Sequence, residues 1–268
     1  MALIVPDQLA VGEVTRPTVR ILSYNIQVGI ETRGPSDYLT HGWKHVLHHS
    51  ARGRNLDRIA RILSGHDIVG LQETDAGSRR SGFVNLTEYL ARKAGFPYWH
   101  HRVNRRIGQF AQHAHGLISR VAPESVAEHE LPGLIPGRGV IVARYGAGAD
   151  PLAIFHVHLA LTARARRNQF AFIAEMMEDH RHAVLMGDFN CRPGSPEMIE
   201  LFRRTGLREP AEVLNTFPSW RPEHDIDHVL VTPTLEVTRA TVLPHAFSDH
   251  LPLSVEIALP DGFQLSAT

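Results

Sequence analysis

The sequence has one cysteine, Cys191, so no intrachain disulfide can form. A disulfide-stapled scaffold is excluded, and the thiol usage fits a reducing compartment. Charge of either sign is not in excess, with 28 Lys and Arg against 28 Asp and Glu. No whole-molecule field therefore draws the chain toward nucleic acid or an anionic membrane. No apolar run is long enough to span a bilayer, and no amphipathic membrane helix is evident. Residues 1–7 lack the basic segment and apolar core of a signal peptide. The expectation is a cytoplasmic protein without stable membrane insertion, and no obligate protein partner is evident. Repeats, low-complexity tracts and Gly/Ser/Pro-rich linkers are also missing, so residues 1–268 read as a single domain. With 268 residues and 43% hydrophobic content, the chain can bury a substantial core.

What is abundant is histidine, 18 residues, which suggests metal, acid–base or phosphate chemistry without choosing among them. Arginine clusters at Arg79-Arg80, Arg102 with Arg105-Arg106, and Arg164 with Arg166-Arg167 offer local phosphate sites, though most read as solvated faces. Two hydrophobic periods alternate along the chain. Strand-like runs cover 19–25, 67–72, 116–119, 140–145, 152–158, 182–187, 226–232, 235–243 and 252–259. Helical spacing covers 56–63, 86–94, 163–179 and 196–204. Asn55 is placed as the N-cap of the first helix, and Phe170, Ile173 and Met177 as core contacts of the third. The strand-heavy second half departs from regular β–α alternation. Two packed sheets with helices outside fit better.

Polar side chains collect at strand ends. The run Gly187-Asp188-Phe189-Asn190 closes an apolar strand, and residues two apart on an extended chain share a face. Asn25 ends another strand, Gln72-Glu73 a third, and His156 and His158 share one face of a fourth. Asp227 opens a strand, and Ser248-Asp249-His250 precedes the last one. Hard oxygen donors suit Mg²⁺ or Mn²⁺, which offset the repulsion between an anionic phosphodiester and attacking hydroxide. Glu73 is the main candidate ligand, with Asn25 and Asp249 nearby. Asp188 can accept a proton from water, while Asn190, His158 and His250 can donate to phosphoryl oxygens. Asp227 is the natural partner to raise the pKa of His250.

This ordered series resembles the endonuclease/exonuclease/phosphatase superfamily of DNase I-like nucleases, exonuclease III-type abasic endonucleases, neutral sphingomyelinases and inositol-polyphosphate 5-phosphatases. The resemblance spans 19–257, and six weak motifs in the right order make a specific signal. It implies an α/β fold, a four-layer α/β sandwich of two packed mixed sheets flanked by helices. It also implies a metal-site amide and acids at Asn25, Glu73 and Asp249, a phosphate-contacting His158, and a water-orienting Asp188 with its partner Asn190. Asp227 and His250 match the family's carboxylate–imidazole dyad. Gln27, His115 and His156 depart from the pattern, the first replacing an acid and the others asparagine. The implied activity is metal-dependent hydrolysis of a phosphodiester in a nucleic acid, a lipid headgroup or a small molecule. A DNA or RNA nuclease, abasic-site cleavage included, is the alternative. A phosphomonoesterase or a non-catalytic binding module ranks lower.

Other residues carry two readings each. His115 is either a phosphate contact or a hydrogen-bonded residue beneath the sheet. Trp220 and Arg221, in the 216–222 loop, either grip the substrate at the rim or, for the Trp, plug the sandwich edge. His228 and Cys191 read as structural. His41, His45, His48 and His49 have zinc-like spacing, but no acid or cysteine completes a set. The long loop carrying Tyr38, Trp43 and Lys44 is the expected carrier of specificity or of a self-contact.

Overall fold

The computed structural model describes residues 16–32, 34, 50–133, 137–260 and 263. The aromatic and histidine-rich segment 35–49, with Tyr38, Trp43, Lys44 and His41, His45, His48 and His49, lies outside the described residues.

Two mixed sheets form the centre. In the first, strands β1 (Thr18–Asn25) and β2 (Ile68–Asp75) run parallel, and β3 (Tyr98–Ile107), β4 (Ala111–Ser119), β10 (Glu236–Val242) and β11 (Leu253–Ala258) complete the order β10-β11-β1-β2-β4-β3. In the second, β7 (Leu152–His158) and β8 (His182–Asp188) are the parallel pair. The strands β5 (Ser125–Glu130), β6 (Gly139–Tyr145) and β9 (Asp227–Val231) complete the order β5-β6-β7-β8-β9. Helices α1 (Ser50–Leu63) and α2 (Leu86–Ala94) cover the first sheet, while α3 (Ala163–Met177) and α4 (Pro196–Thr205) cover the second.

Three apolar layers hold these four together. Val19, Ile21, Ile141, Ile154, Val184 and Val255 fill the space between the sheets. Leu22, Leu56, Ile59, Val69 and Leu90 pack α1 and α2 on one outer face. Phe155, Phe170, Ile173, Leu185 and Leu201 pack α3 and α4 on the other. Because both sheet faces are covered, the central strands are buried along nearly their whole length, as sheets covered on both faces are. The four-layer sandwich matches the expected fold class.

The sequence pattern missed β3 and β5. Each forms the outer edge of its sheet, and edge strands need no apolar alternation. Five of the six residues of β5 are exposed, and β3 carries His, Arg and Asn on partly exposed positions. The position of Asn55 also differs from expectation. Helix α1 starts at Ser50, so Asn55 is an interior residue and not a cap. Its side chain points inward, and Nδ2 donates to the carbonyls of Gly29 at 3.2 Å and Phe247 at 2.7 Å. Asn85 is a true N-cap, accepting from the Thr87 and Glu88 amides at the start of α2.

Candidate active site

Both parallel pairs end on the same side of the molecule, where open α/β sheets place their crevices. The first pair delivers Asn25 and Glu73, and the second delivers His158 and Asp188. Antiparallel β9 begins at Asp227, directly opposite Asp188 in the ladder. The turn before β11 adds Asp249 and His250. Tight backbone features hold these ends. Gly187 has φ +143°, and a Cβ there would lie 1.9 Å from the Val157 carbonyl oxygen, so only glycine fits before Asp188. Glu73 and Asn190 adopt left-handed φ of +52° and +55°, a conformation that non-glycine residues hold at a cost and that concentrates at functional sites.

Asp188 is the hub. Its Oδ1 accepts the Asn190 amide at 2.9 Å, and its Oδ2 accepts Asn25 Nδ2 at 3.1 Å. His158 Nε2 lies 3.5 Å and His250 Nε2 3.9 Å from the same Oδ2. The second carboxylate, Asp227, takes His250 Nδ1 at 2.7 Å and Thr216 Oγ1 at 2.5 Å on one oxygen. Asp188, Asp227 and His250 are all buried, and their ligand atoms lie within 4.8 Å of one another. Asn190 Nδ2 donates to the Leu159 carbonyl at 3.0 Å.

These contacts sort the charges. Burial alone would lower the pKa of His250. The charge and hydrogen bond of Asp227, with Asp188 and Asp249 behind them, instead raise it to about 10. Its ring is an imidazolium at neutral pH, with Nδ1–H committed and Nε2–H facing Asp188. Burial pushes the Asp188 carboxyl up, and Asp227 pushes it further, against His250, Asn25 and the Asn190 amide. Desolvation, with Arg138 nearby, keeps His158 neutral. Glu73 is raised by burial and by the charge of Asp249, and lowered by His250, Asn25 and Arg138. A carboxylate pair of this kind, with an amide beside it, suits a hard divalent cation, which would relieve the repulsion between Glu73 and Asp249.

Of the residues singled out in the sequence, Asn25, Glu73, His158, Asp188, Asn190, Asp227, Asp249 and His250 gather at this one end. His115 does not reach the cleft. It is fully buried, bonded through Nδ1 to Asn104 Nδ2 at 2.9 Å and set edge-on against His156 at 5.1 Å between ring centroids. A side chain without accessible surface touches no substrate, so its expected role as a substrate contact is corrected to the buried, hydrogen-bonded one. Trp220 is half-buried on the loop before Asp227, and exposed Arg221 pairs with Glu223 at 2.8 Å. His228 bonds the Cys191 carbonyl at 2.9 Å, and Cys191 packs in the core beneath α3 and α4. Arg166 is not solvated, because it forms a buried pair with Glu197 at 2.6 Å.

Sequence reasoning missed Arg138. Its guanidinium is largely desolvated and feels both Asp188 and Glu73, and its Nη1 lies 3.4 Å from the His158 carbonyl. The available signal was its place between Gly137 and Gly139, where the backbone comes close to its neighbours. A Cβ at Gly139 would lie 2.2 Å from the Arg102 guanidinium.

The model of the Endonuclease/Exonuclease/phosphatase family matches residues 22–250. The chain belongs to that family. Its members are hydrolases of phosphoric esters that use divalent metal ions. No curated protein matches the chain. Among solved structures, a family protein from Beutenbergia cavernae is 19% identical with a TM-score of 0.70, covering 91% of this chain and 72% of that one. Mannosyl-6-phosphatase of Bacteroides thetaiotaomicron is 18% identical with a TM-score of 0.67, covering 90% and 100%. The human nocturnin catalytic domain with bound sulfate is 17% identical with a TM-score of 0.66, covering 93% and 96%. At these identities the likeness shows the shared fold. No helix among the described residues is long and apolar enough to cross a membrane.

Proposed function

We propose that this chain is a Mg²⁺- or Mn²⁺-dependent phosphodiesterase that cleaves its substrate by in-line attack of water. The observation that carries the reading is the division of labour across one imidazole. His250 is held protonated by Asp227 while its other nitrogen faces Asp188, a carboxyl whose proton affinity is raised. That arrangement sets a proton acceptor and a fixed positive donor side by side.

Asn25, Glu73 and Asp249 would hold the ion. An ion bound there would supply charge neutralisation at the phosphoryl group and the leaving oxygen. Asp188, oriented by Asn25 and the Asn190 amide, takes a proton from the attacking water. His250 Nε2–H, neutral His158 and the remaining N–H of Asn190 donate to the phosphoryl oxygens, where charge builds in the transition state. Trp220 and Arg221 border the loop that leads to Asp227 and contact the group beyond the phosphate. Nucleic acid, a lipid headgroup and a small soluble diester all present this chemistry. The balanced net charge argues for the last two over a nonspecific nuclease.

Arg138 favours a second reading. A guanidinium whose charge acts on Asp188 and Glu73 is suited to a dianionic phosphomonoester, and one neighbour of the same fold is a sugar phosphatase. Hydrolysis of bis-p-nitrophenyl phosphate and p-nitrophenyl phosphate with Mg²⁺, with Mn²⁺ and with EDTA separates the two. Metal-dependent cleavage of the diester, lost in Glu73→Gln, is the expected result. Cleavage of the monoester alone would replace the diesterase reading with a phosphatase.

A further inference from the structure

Exposed apolar side chains are unevenly spread over the surface. Among the described residues eight large hydrophobic side chains are exposed, and four of them sit on two adjoining turns. Ile107 and Phe110, 46% and 50% exposed, lie at the turn between β3 and β4, while Phe83 and Val84, 68% and 41% exposed, lie just before α2. The backbone ties the two turns together. The Arg79 amide donates to the Gln109 carbonyl at 2.9 Å, and the Arg80 amide to the Phe110 carbonyl at 3.2 Å. Residues 105–110 are exposed without a break, so the hairpin tip stands clear of the sandwich. Phe83 has φ +62°, directly after Gly82 at +67°. A bulky residue holds that conformation at a cost, and here no burial offsets it.

Charge of one sign surrounds these apolar groups. Segments 76–85 and 104–112 hold four arginines and no acid. Arg80 is committed to buried Asp75 at 2.6 Å. Arg79, Arg105 and Arg106 are exposed and have no ion-pair partner among the described residues, and the Arg79 guanidinium lies 5.9 Å over the Phe110 ring. The tip also lies at the active-site end of the molecule. Strand β4 runs antiparallel to β2, with His113 opposite Asp75, so the turn before β4 extends past the end of β2 that carries Glu73.

Apolar side chains ringed by unpaired cations match a surface that is anionic outside and apolar beneath. We propose that this hairpin tip, with the 79–84 turn, docks the enzyme reversibly on an anionic lipid bilayer. Phe83, Val84, Ile107 and Phe110 enter the boundary between headgroups and acyl chains, and Arg79, Arg105 and Arg106 meet lipid phosphates. Four side chains are too few for a protein interface, which needs roughly 800 Å² from each partner. Aliphatic Val84 and Ile107 offer no face on which bases stack. Docking in this way sets the rim that carries Glu73 against the headgroups, so the substrate class becomes the phosphodiester of a phospholipid headgroup. That second step rests on the phosphodiesterase reading, whereas the docking does not.

The test is cosedimentation of the full chain with vesicles, in EDTA so that no lipid is cleaved. One set is phosphatidylcholine alone, and the other is phosphatidylcholine and phosphatidylserine in equal parts. The expected result is binding to the mixed vesicles that weakens with added salt, and little binding to phosphatidylcholine. Partitioning should fall at least tenfold in Phe83→Asn/Phe110→Ser and in Arg105→Gln/Arg106→Gln, with thermal melts unchanged because all four side chains are exposed. No binding to mixed vesicles, or wild-type binding by both variants, would overturn the proposal. So would self-association through these side chains in sedimentation velocity, or capture of an oligonucleotide in place of vesicles.

Hydrolysis tests the substrate step. With Mg²⁺ in place of EDTA, Phe83→Asn/Phe110→Ser should lose at least tenfold in headgroup release from the mixed vesicles and keep the wild-type rate on soluble bis-p-nitrophenyl phosphate. Wild type that cleaves the bis ester but releases no headgroup would overturn that step. Vesicle binding by an enzyme that hydrolyses no diester would overturn the phosphodiesterase reading and leave the docking surface standing.

Discussion

Asp188 and Asp227 stand directly opposite one another across the β8–β9 ladder, and His250 reaches both, 2.7 Å from the carboxylate of Asp227 and 3.9 Å from that of Asp188. Two acids so close would repel each other. The imidazolium resolves the conflict, and the two carboxylates are thereby given different duties. Asp227 holds a proton on the ring, and in the proposed mechanism Asp188 is left to receive one from water.

Asp227→Asn keeps a hydrogen-bond acceptor for His250 but removes the charge. The His250 pKa should fall from about 10 toward or below the ordinary histidine range, because burial then acts with less opposition. Turnover at pH 8 should drop about 10²–10⁴-fold, the span of general acid–base contributions. NMR titration of the His250 ring alongside kcat checks both. A protonated ring at pH 9 in the variant would contradict the assignment.

The same pair sets a pH dependence of stability. The folded-state pKa of His250 lies above its unfolded value, so its contribution is fully present below about 6.5 and is lost as pH rises through about 10. Urea midpoints measured from pH 6 to pH 10.5 should show wild type losing stability across that window. His250→Gln should show a shallower slope.

Gly187→Ala puts a Cβ against the Val157 carbonyl at a backbone angle that L residues rarely adopt. The expected cost is about 1–3 kcal/mol of stability together with loss of activity, since Asp188 follows directly. Urea denaturation gives the first quantity and diester hydrolysis the second. A fully active, equally stable variant would contradict the tight approach of β7 and β8.

Asn55→Ala removes two hydrogen bonds that tie α1 to the Gly29 and Phe247 carbonyls. Leaving those acceptors unpaired should cost about 1–3 kcal/mol. A thermal melt of the variant measures it. As a helix N-cap, by contrast, Asn55 would have lost its function to Ala while Asp or Ser restored it, and neither can span the two carbonyls.

The central strands were legible because burial on both faces leaves a clear apolar run that stops abruptly at a polar residue. That stop marked Asn25, Glu73, His158 and Asp188, all of which the sheets bring to one rim. Edge strands β3 and β5 were illegible for the opposite reason, since solvent or a polar neighbour covers much of their surface and no period is imposed. His115 misled because a histidine buried by tertiary packing looks the same in sequence as one at a cleft. Arg138 was hidden because a single arginine between glycines carries no period at all, and only the fold brings it near Asp188 and Glu73.

The most direct measurement compares wild type with Asp188→Asn in Mg²⁺-supported hydrolysis of bis-p-nitrophenyl phosphate, with folding monitored by circular dichroism on the same samples. If Asp188 is the proton acceptor, kcat falls at least 10²-fold while the spectrum and KM hold. Wild-type turnover from a folded Asp188→Asn protein would contradict that role and with it the proposed mechanism.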